Sequence, residues 1–167
     1  MKNFVEAHSL LTDFDISLFR SGKHFRMYEK FGAHVIEVNG QKGTYFAVWA
    51  PNAESVSVIG NFNFWSGDEH QLHVRWDSSG IWEGFIPNLT EGEIYKYRIK
   101  PNGQSGVLEK CDPFAMYAEI PPNTASIIWN QDYKWKDAKW MKSREKINGL
   151  NQPYSVYEVH IGSWKRK

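Results

Sequence analysis

Between Glu93 and Lys100 the chain reads E-I-Y-K-Y-R-I-K, and this alternation constrains the fold more than any other feature. Side chains along a strand alternate between faces, so Tyr95, Tyr97 and Ile99 face one way and Lys96, Arg98 and Lys100 the other. Ser55-Val56-Ser57-Val58 repeats the pattern. Gly43 to Ala50 (G-T-Y-F-A-V-W-A) is apolar on both faces, as a central strand requires. Turn signals divide these runs at short intervals: Asn39-Gly40, Pro51-Asn52, Asp77-Ser78-Ser79-Gly80, Glu91-Gly92 and Pro101-Asn102-Gly103. No helical period lies between them, which argues against a parallel βαβ sheet. The pattern predicts an all-β, immunoglobulin-like antiparallel β-sandwich.

The flanks read differently. From Ser9 to Tyr28 the period is helical, with Leu11, Phe14, Leu18 and Phe19 on one face, Thr12 or Ser9 as cap and Gly22 as stop. Residues 1–30 are therefore expected to form a short helical lead-in laid on a sandwich body of 31–130. Beyond Trp129, Asn130 to Asn151 is charged and Lys-rich, which reads as a linker over 131–153 with one helical turn. Ser155 to Trp164 (S-V-Y-E-V-H-I-G-S-W) then reads as one more strand within a C-terminal extension, 154–167, the first strand of a further body.

Composition narrows the partner. Aromatic residues make up 16 % of the chain, with eight Trp, an excess that suits both strands and flat contact surfaces. The net charge of +1 gives no electrostatic reason to expect nucleic acid or an anionic membrane, so the expected ligand is neutral. Cys111 is the single cysteine, which excludes an intramolecular disulfide. The opening residues lack the apolar run of a signal peptide, and no stretch approaches the ~18 apolar residues of a membrane span. A cytoplasmic setting is expected.

Catalytic chemistry has no foothold. Glycoside cleavage needs two carboxylates across a bond, and Asp68-Glu69 and Glu91/Glu93 read as solvated charges on turns. His70 and His73 are spaced to point to opposite faces of a strand, with no third ligand at metal spacing. Gly40-Gln-Lys-Gly43 reads as a hairpin turn and not as a phosphate loop. No catalytic residue, cofactor or metal is expected.

Binding chemistry is better represented. Gly60-Asn61-Phe62-Asn63-Phe64-Trp65-Ser66-Gly67 sets aromatics beside Asn on a loop. A sugar ring offers an apolar C–H face and a hydroxyl edge, so an indole plane with nearby amide and ammonium donors is its complement. Covering one ring face removes ~80 Å² from water, worth about 2 kcal/mol, which places one such contact in the ~mM range. Trp65 is the platform candidate, with Phe62, Phe64 and Trp82 expected in the core. Trp135 and Trp140, large aromatics in a polar stretch, are expected to dock against a neighbouring domain.

Phe46-Ala47-Val48-Trp49-Ala50-Pro51-Asn52-Ala53, the run from Val56 to Trp65, Gly80-Ile81-Trp82-Glu83, Tyr95-Lys96-Tyr97 and Lys110-Cys111-Asp112-Pro113-Phe114-Ala115 together resemble the family-48 carbohydrate-binding modules. Tyr157 to Trp164 (Y-E-V-H-I-G-S-W) resembles the first barrel strand of bacterial glycogen branching enzymes of the α-amylase superfamily. Isoamylase-type debranching enzymes are the alternative, and they usually diverge at Gly162-Ser163-Trp164. The resemblance implies a parent that cleaves an α-1,4 glucan and transfers the segment to a 6-hydroxyl, on a (β/α)8 barrel absent from this chain. It implies two partners, α-1,4-glucan or glycogen, bound weakly, and the chain's own catalytic barrel. Trp65 and Lys96 match the glucan-contacting positions, Asn63 lies in the F-N-x-W motif, and Thr124 in Thr124-Ala125-Ser126 matches part of a polar Thr-x-Asn. A second Trp platform, usual in the hairpin here occupied by Asn102-Gly103-Gln104-Ser105, is missing, so a module that only positions the barrel is the competing expectation.

Overall fold

A computed structural model describes residues 4–164, which divide into two compact units between Gln131 and Asp132. The first unit is the predicted immunoglobulin-like sandwich. One sheet sets β1 (Gly32–Val38), β2 (Gln41–Trp49), β5 (Ile81–Pro87) and β4 (His73–Val74) side by side. The other sets β3 (Ala53–Gly60), β6 (Ile94–Pro101), β9 (Ser126–Ile127) and β8 (Tyr117–Ala118) in order, with β7 (Leu108–Lys110) also paired to β6. Every pairing is antiparallel.

Local sequence sets the register. Asn39 and Gly40 both take positive φ, 51° and 81°, the geometry of a two-residue hairpin turn whose twist matches its strands, and it fixes Val38 opposite Gln41. At Gly43, by contrast, packing requires the glycine: a Cβ there would lie 2.5 Å from the Phe85 ring and 2.4 Å from the Ile86 carbonyl oxygen.

β2 is central, between β1 and β5, and its two apolar faces have separate uses. Phe46 and Val48 join Val56, Val58, Tyr95 and Tyr97 in the core between the sheets. Tyr45 lies on the opposite face and is equally buried, with the His8 ring of the lead-in edge-on against it at 6.0 Å. The lead-in also adds Glu6 to the edge of β5 by two backbone hydrogen bonds with Phe85. The N-terminal segment is thus part of the sandwich's second core.

Within it α1 spans Asp13–Arg20, capped by Thr12 as expected. The Thr12 hydroxyl oxygen accepts from the Asp15 N–H, while the Asp15 carboxylate accepts from the Thr12 N–H at 2.8 Å, so two donors at the helix start are satisfied reciprocally. Burial alone would raise the Asp15 carboxyl; hydrogen bonds from Thr12 and His24 and the charge of Lys30 outweigh it and hold the group at about 2. The inner face differs from the one read in the sequence. Leu11, Ile16, Phe31 and Ile81 form a buried cluster with Phe19 against it, whereas Phe14 is exposed. Leu11 precedes the cap and lies outside the helix, so counting helical steps from it rotates the face; Ile16 takes the position assigned to Phe14.

In the second unit α2 (Ala138–Ile147) runs ten residues, longer than the single turn expected, because A-K-W-M-K-S-R-E-K-I is dense in good helix formers. None of its residues is buried. Tyr133 and Trp135 meet edge to face at 4.8 Å, and Trp135 and Trp140 are exposed. The strand expected over Ser155–Trp164 is not formed: α3 (Ile161–Trp164) is a helical turn, and no strand precedes it from Tyr154. A strand is held by a ladder partner, and among the described residues none pairs with this segment. Lys165–Lys167, the end of that expected extension, lie outside the described residues, as do Met1–Asn3. No helix among the described residues is long and apolar enough to cross a membrane, and none of their His, Cys, Asp and Glu side chains cluster as a metal site.

Candidate functional site

The loop after β3 is a compact device for turning one indole outward. Asn61–Asn63 makes a single 3-10 turn, after which Phe64 and Trp65 both take left-handed conformations, φ 53° and 61°. Two consecutive non-glycine residues there cost roughly 1–2 kcal/mol each, so something must hold them. Asn63 does this. Its side-chain oxygen accepts from the Gly60 N–H at 2.9 Å, and its amide nitrogen donates to the Val58 carbonyl at 2.9 Å and to His70 Nδ1 at 3.1 Å. The Trp65 N–H returns to the Gly60 carbonyl at 2.9 Å, and its indole N–H donates to the Asn61 side-chain oxygen at 3.0 Å. Gly60 itself has no room for a side chain: a Cβ would lie 2.2 Å from the Ile94 carbonyl oxygen and 2.5 Å from the Phe62 ring.

This geometry corrects two sequence expectations. Asn63 is buried with its amide fully engaged, so it supports the loop and offers nothing to a ligand. Phe64, expected in the core, is 95 % exposed, because the left-handed turn that follows the 3-10 segment swings it out. Phe62 and Trp82 are inside as expected: Phe62 packs on the core and against His70, and Trp82 donates its indole N–H to the Ala50 carbonyl.

Trp65, Lys96 and Thr124 come together. They line an open cleft of about 430 Å³ along with Ile94, Glu109 and Asn123. Lys96 reaches it from the outward face of β6, where it sits opposite Ile59 of β3. Its neighbours Tyr95 and Tyr97 point inward, and both donate their hydroxyls to the buried Asp112 carboxylate. Thr124 and Asn123 arrive from the turn before β9. There Glu119, another residue of the cleft wall, accepts from the Asn123 amide at 3.3 Å and the Ala125 N–H at 3.0 Å. The cleft therefore combines one aromatic plane with an ammonium donor, a hydroxyl, an amide and carboxylate acceptors, all suited to a neutral polyol.

Asn123 and the two glutamates were missed in the sequence. Asn123 abuts Thr124 in the sequence and supplies the amide that Thr124-Ala125-Ser126 lacks. Ser126 points inward, its hydroxyl accepting from the Asp112 N–H at 2.8 Å. The turn over residues 102–107 carries no aromatic, so the cleft has a single indole plane.

His70 gives the loop a pH dependence. Burial pushes its pKa down, opposed by the charge of Glu69, and Nδ1 must stay unprotonated to accept from Asn63. A histidine with a depressed folded-state pKa contributes stability above its unfolded value of about 6.5, lost as pH falls through the lower folded value. Thermal melts are expected to show a lower transition temperature at pH 5 than at pH 7, with the His70 ring resonances titrating below the ordinary histidine value of about 6.5. A His70 pKa at or above 6.5 would contradict this account.

Residues 30–115 match the family described as Carbohydrate-binding module 48 (Isoamylase N-terminal domain). The chain belongs to that family. The module is also similar to the 1,4-alpha-glucan branching enzymes GlgB of Albidiferax ferrireducens, 53 % identical over 93 % of this chain, and of Aquifex aeolicus, 48 % identical over 99 %. A third relative of the same name, from Thermosynechococcus vestitus, is 56 % identical over 92 %. The chain spans 24 %, 25 % and 20 % of those relatives' lengths, so the likeness is to one part of each.

Proposed function

We propose that this chain is the N-terminal glucan-binding and positioning domain of a 1,4-alpha-glucan branching enzyme, and that α-1,4-glucan binds in the Trp65 cleft. The observation that carries the reading is the convergence of Trp65, Lys96 and Thr124, from three separate segments, on one cleft. The relatives are named 1,4-alpha-glucan branching enzymes, and the parent activity proposed with that name is cleavage of an α-1,4 link and transfer to a 6-hydroxyl by carboxylates on a barrel. In this proposal 1–30 is the lead-in, 31–130 the module, 131–153 the linker, and the first barrel strand begins at 154. That strand would acquire its ladder only against the remaining barrel strands. A cytoplasmic setting, where the unpaired and exposed Cys111 stays reduced, belongs to the same reading.

With one indole plane, the affinity expected for maltoheptaose is about millimolar. In a native gel containing glycogen the wild-type chain is expected to be retarded, and Trp65→Ala to lose most of that retardation with an unchanged melting temperature. Equal mobility of the two proteins in glycogen would remove Trp65 from the site. The competing reading, a module that only positions the barrel, draws on the exposed Tyr133, Trp135 and Trp140 of the second unit. It predicts no retardation of either protein.

A further inference from the structure

At the far end of the sandwich a second indole stands in the open. Trp76 follows β4 and is 82 % exposed. Two open clefts meet at it: one of about 570 Å³ lined by Asp13, Ile16, Ser17, Arg20 and Asp77, and one of about 340 Å³ lined by Ala7, His8, Ser9, His73 and Val74. The indole thus lines two clefts whose walls mix apolar surface with polar side chains. It has an apolar plane to stack on and hydroxyl, carboxylate and guanidinium groups at its edges, the combination already met around Trp65.

Its base is rigid. The preceding Arg75 is buried and ion-paired to Asp77 at 2.9 Å and to Glu83 at 2.6 Å, with its N–H on the Ile81 carbonyl. The following turn is closed by Asp77, which accepts from the Ser79 N–H at 2.9 Å, and Arg20 of α1 donates to the Asp77 carbonyl. The backbone that carries Trp76 is thus held between two anchored neighbours, so little backbone ordering remains to be lost on binding a flat ligand. That cost to solvent exposure is what a purely structural turn would not need.

We infer that Trp76 is a second carbohydrate platform, taking the same class of α-glucan as the Trp65 cleft and acting independently of it. This rests on the reading of the module as glucan-binding. Trp65 lies in the loop that leaves the end of β3, whereas the turn after Trp76 packs Gly80 against Pro51, just before β3 begins. The two indoles are therefore separated by about the length of that strand, ~25 Å at ~3.3 Å per residue. One short oligosaccharide does not bridge them, but a branched polymer engages both, and the second contact is then made at high effective concentration.

The test uses the full chain with Trp65→Ala, Trp76→Ala and the double variant. Each is checked by far-UV circular dichroism and a thermal melt, then measured for glycogen-gel retardation and maltoheptaose-induced shifts of the indole N–H signals. Trp76→Ala is expected to weaken glycogen retention about three- to tenfold while leaving the maltoheptaose shifts at Trp65 intact. Trp65→Ala should retain shifts at Trp76, and the double variant should be retained no better than in a glycogen-free gel. An unmoved Trp76 signal in wild type, with Trp76→Ala retained as wild type, overturns the inference and leaves the Trp65 reading standing; this is the result if Trp76 instead packs on another protein domain. Binding lost in Trp76→Ala but unchanged in Trp65→Ala would support the inference and overturn the Trp65 reading.

Discussion

Asp112→Ala is expected to lower the free energy of unfolding by about 4 kcal/mol, close to the whole stability of a small domain. The carboxylate sits under β6 and accepts from the Tyr95 hydroxyl at 2.7 Å, the Tyr97 hydroxyl at 3.0 Å and the Phe114 N–H at 2.8 Å. Removing it leaves two fully buried hydroxyls and a backbone donor without that acceptor, at roughly 1–3 kcal/mol each. Burial pushes the Asp112 carboxyl above the usual carboxylate range despite those hydrogen bonds, so the network keeps a desolvated acid in place by saturating it. Asp112→Asn keeps one acceptor oxygen and is expected to cost less than half as much. Urea unfolding followed by circular dichroism measures both. Equal, small losses for the two variants would show that the tyrosines find other partners. Because Lys96 lies between Tyr95 and Tyr97 on the same strand, loss of this network is also expected to loosen the cleft.

Glu83→Ala is expected to be nearly as damaging, at about 3–5 kcal/mol, because it leaves a buried guanidinium with one of its two carboxylate partners. Glu83 is buried and accepts from Arg75 at 2.6 Å, from the Ser9 hydroxyl at 2.8 Å and from the Tyr45 hydroxyl. It therefore ties the lead-in, β2, β5 and the Trp76 turn together at one point. Replacing both residues with apolar ones, Arg75→Met with Glu83→Leu, is expected to recover part of the loss: no guanidinium is then left buried without its carboxylate, while Asp77 keeps the Ser79 N–H but loses Arg75. The same urea series decides this: a double variant as unstable as Glu83→Ala would mean that the hydrogen bonds to Ser9 and Tyr45 carry the effect.

The sandwich was legible because its strands alternate and its turns are chemically marked. The inward faces of β6 and β2 follow from residue order alone, and Asn39-Gly40 names its own turn type. The helix face was misread for a specific reason: Leu11 belongs to the chain before the cap, and a hydrophobic residue outside a helix shifts the apparent stripe. Segments whose structure depends on distant partners were least legible. Ser155–Trp164 carries a strand's alternation but finds no ladder among the described residues, and α2 owes its length to helix propensity that a Lys-rich stretch conceals.

At the cleft, Trp65, Lys96 and Thr124 were identified and converge. Asn63 was misassigned because sequence proximity to an aromatic says nothing about direction. Only the hydrogen bonds to Gly60, Val58 and His70 show that its amide is turned inward to hold two left-handed residues. Asn123 and Glu119 escaped notice because their contribution depends on β8 and β9 closing beside β6, a pairing of two-residue strands with little alternation to read. Trp76 carries no signal in the sequence; its exposure is a property of the folded chain alone.

The most direct test of the central claim is an amide and indole chemical-shift titration of the 167-residue chain with maltoheptaose. The account predicts saturable shifts at the Trp65 indole N–H, at Lys96 and across Asn123–Ala125, with a dissociation constant of about 1 mM, and none at Asn63 beyond those carried by the moving loop. Unmoved signals at Trp65, Lys96 and Thr124 at ~10 mM ligand would contradict it, and would leave a module that positions its barrel without holding sugar in this cleft.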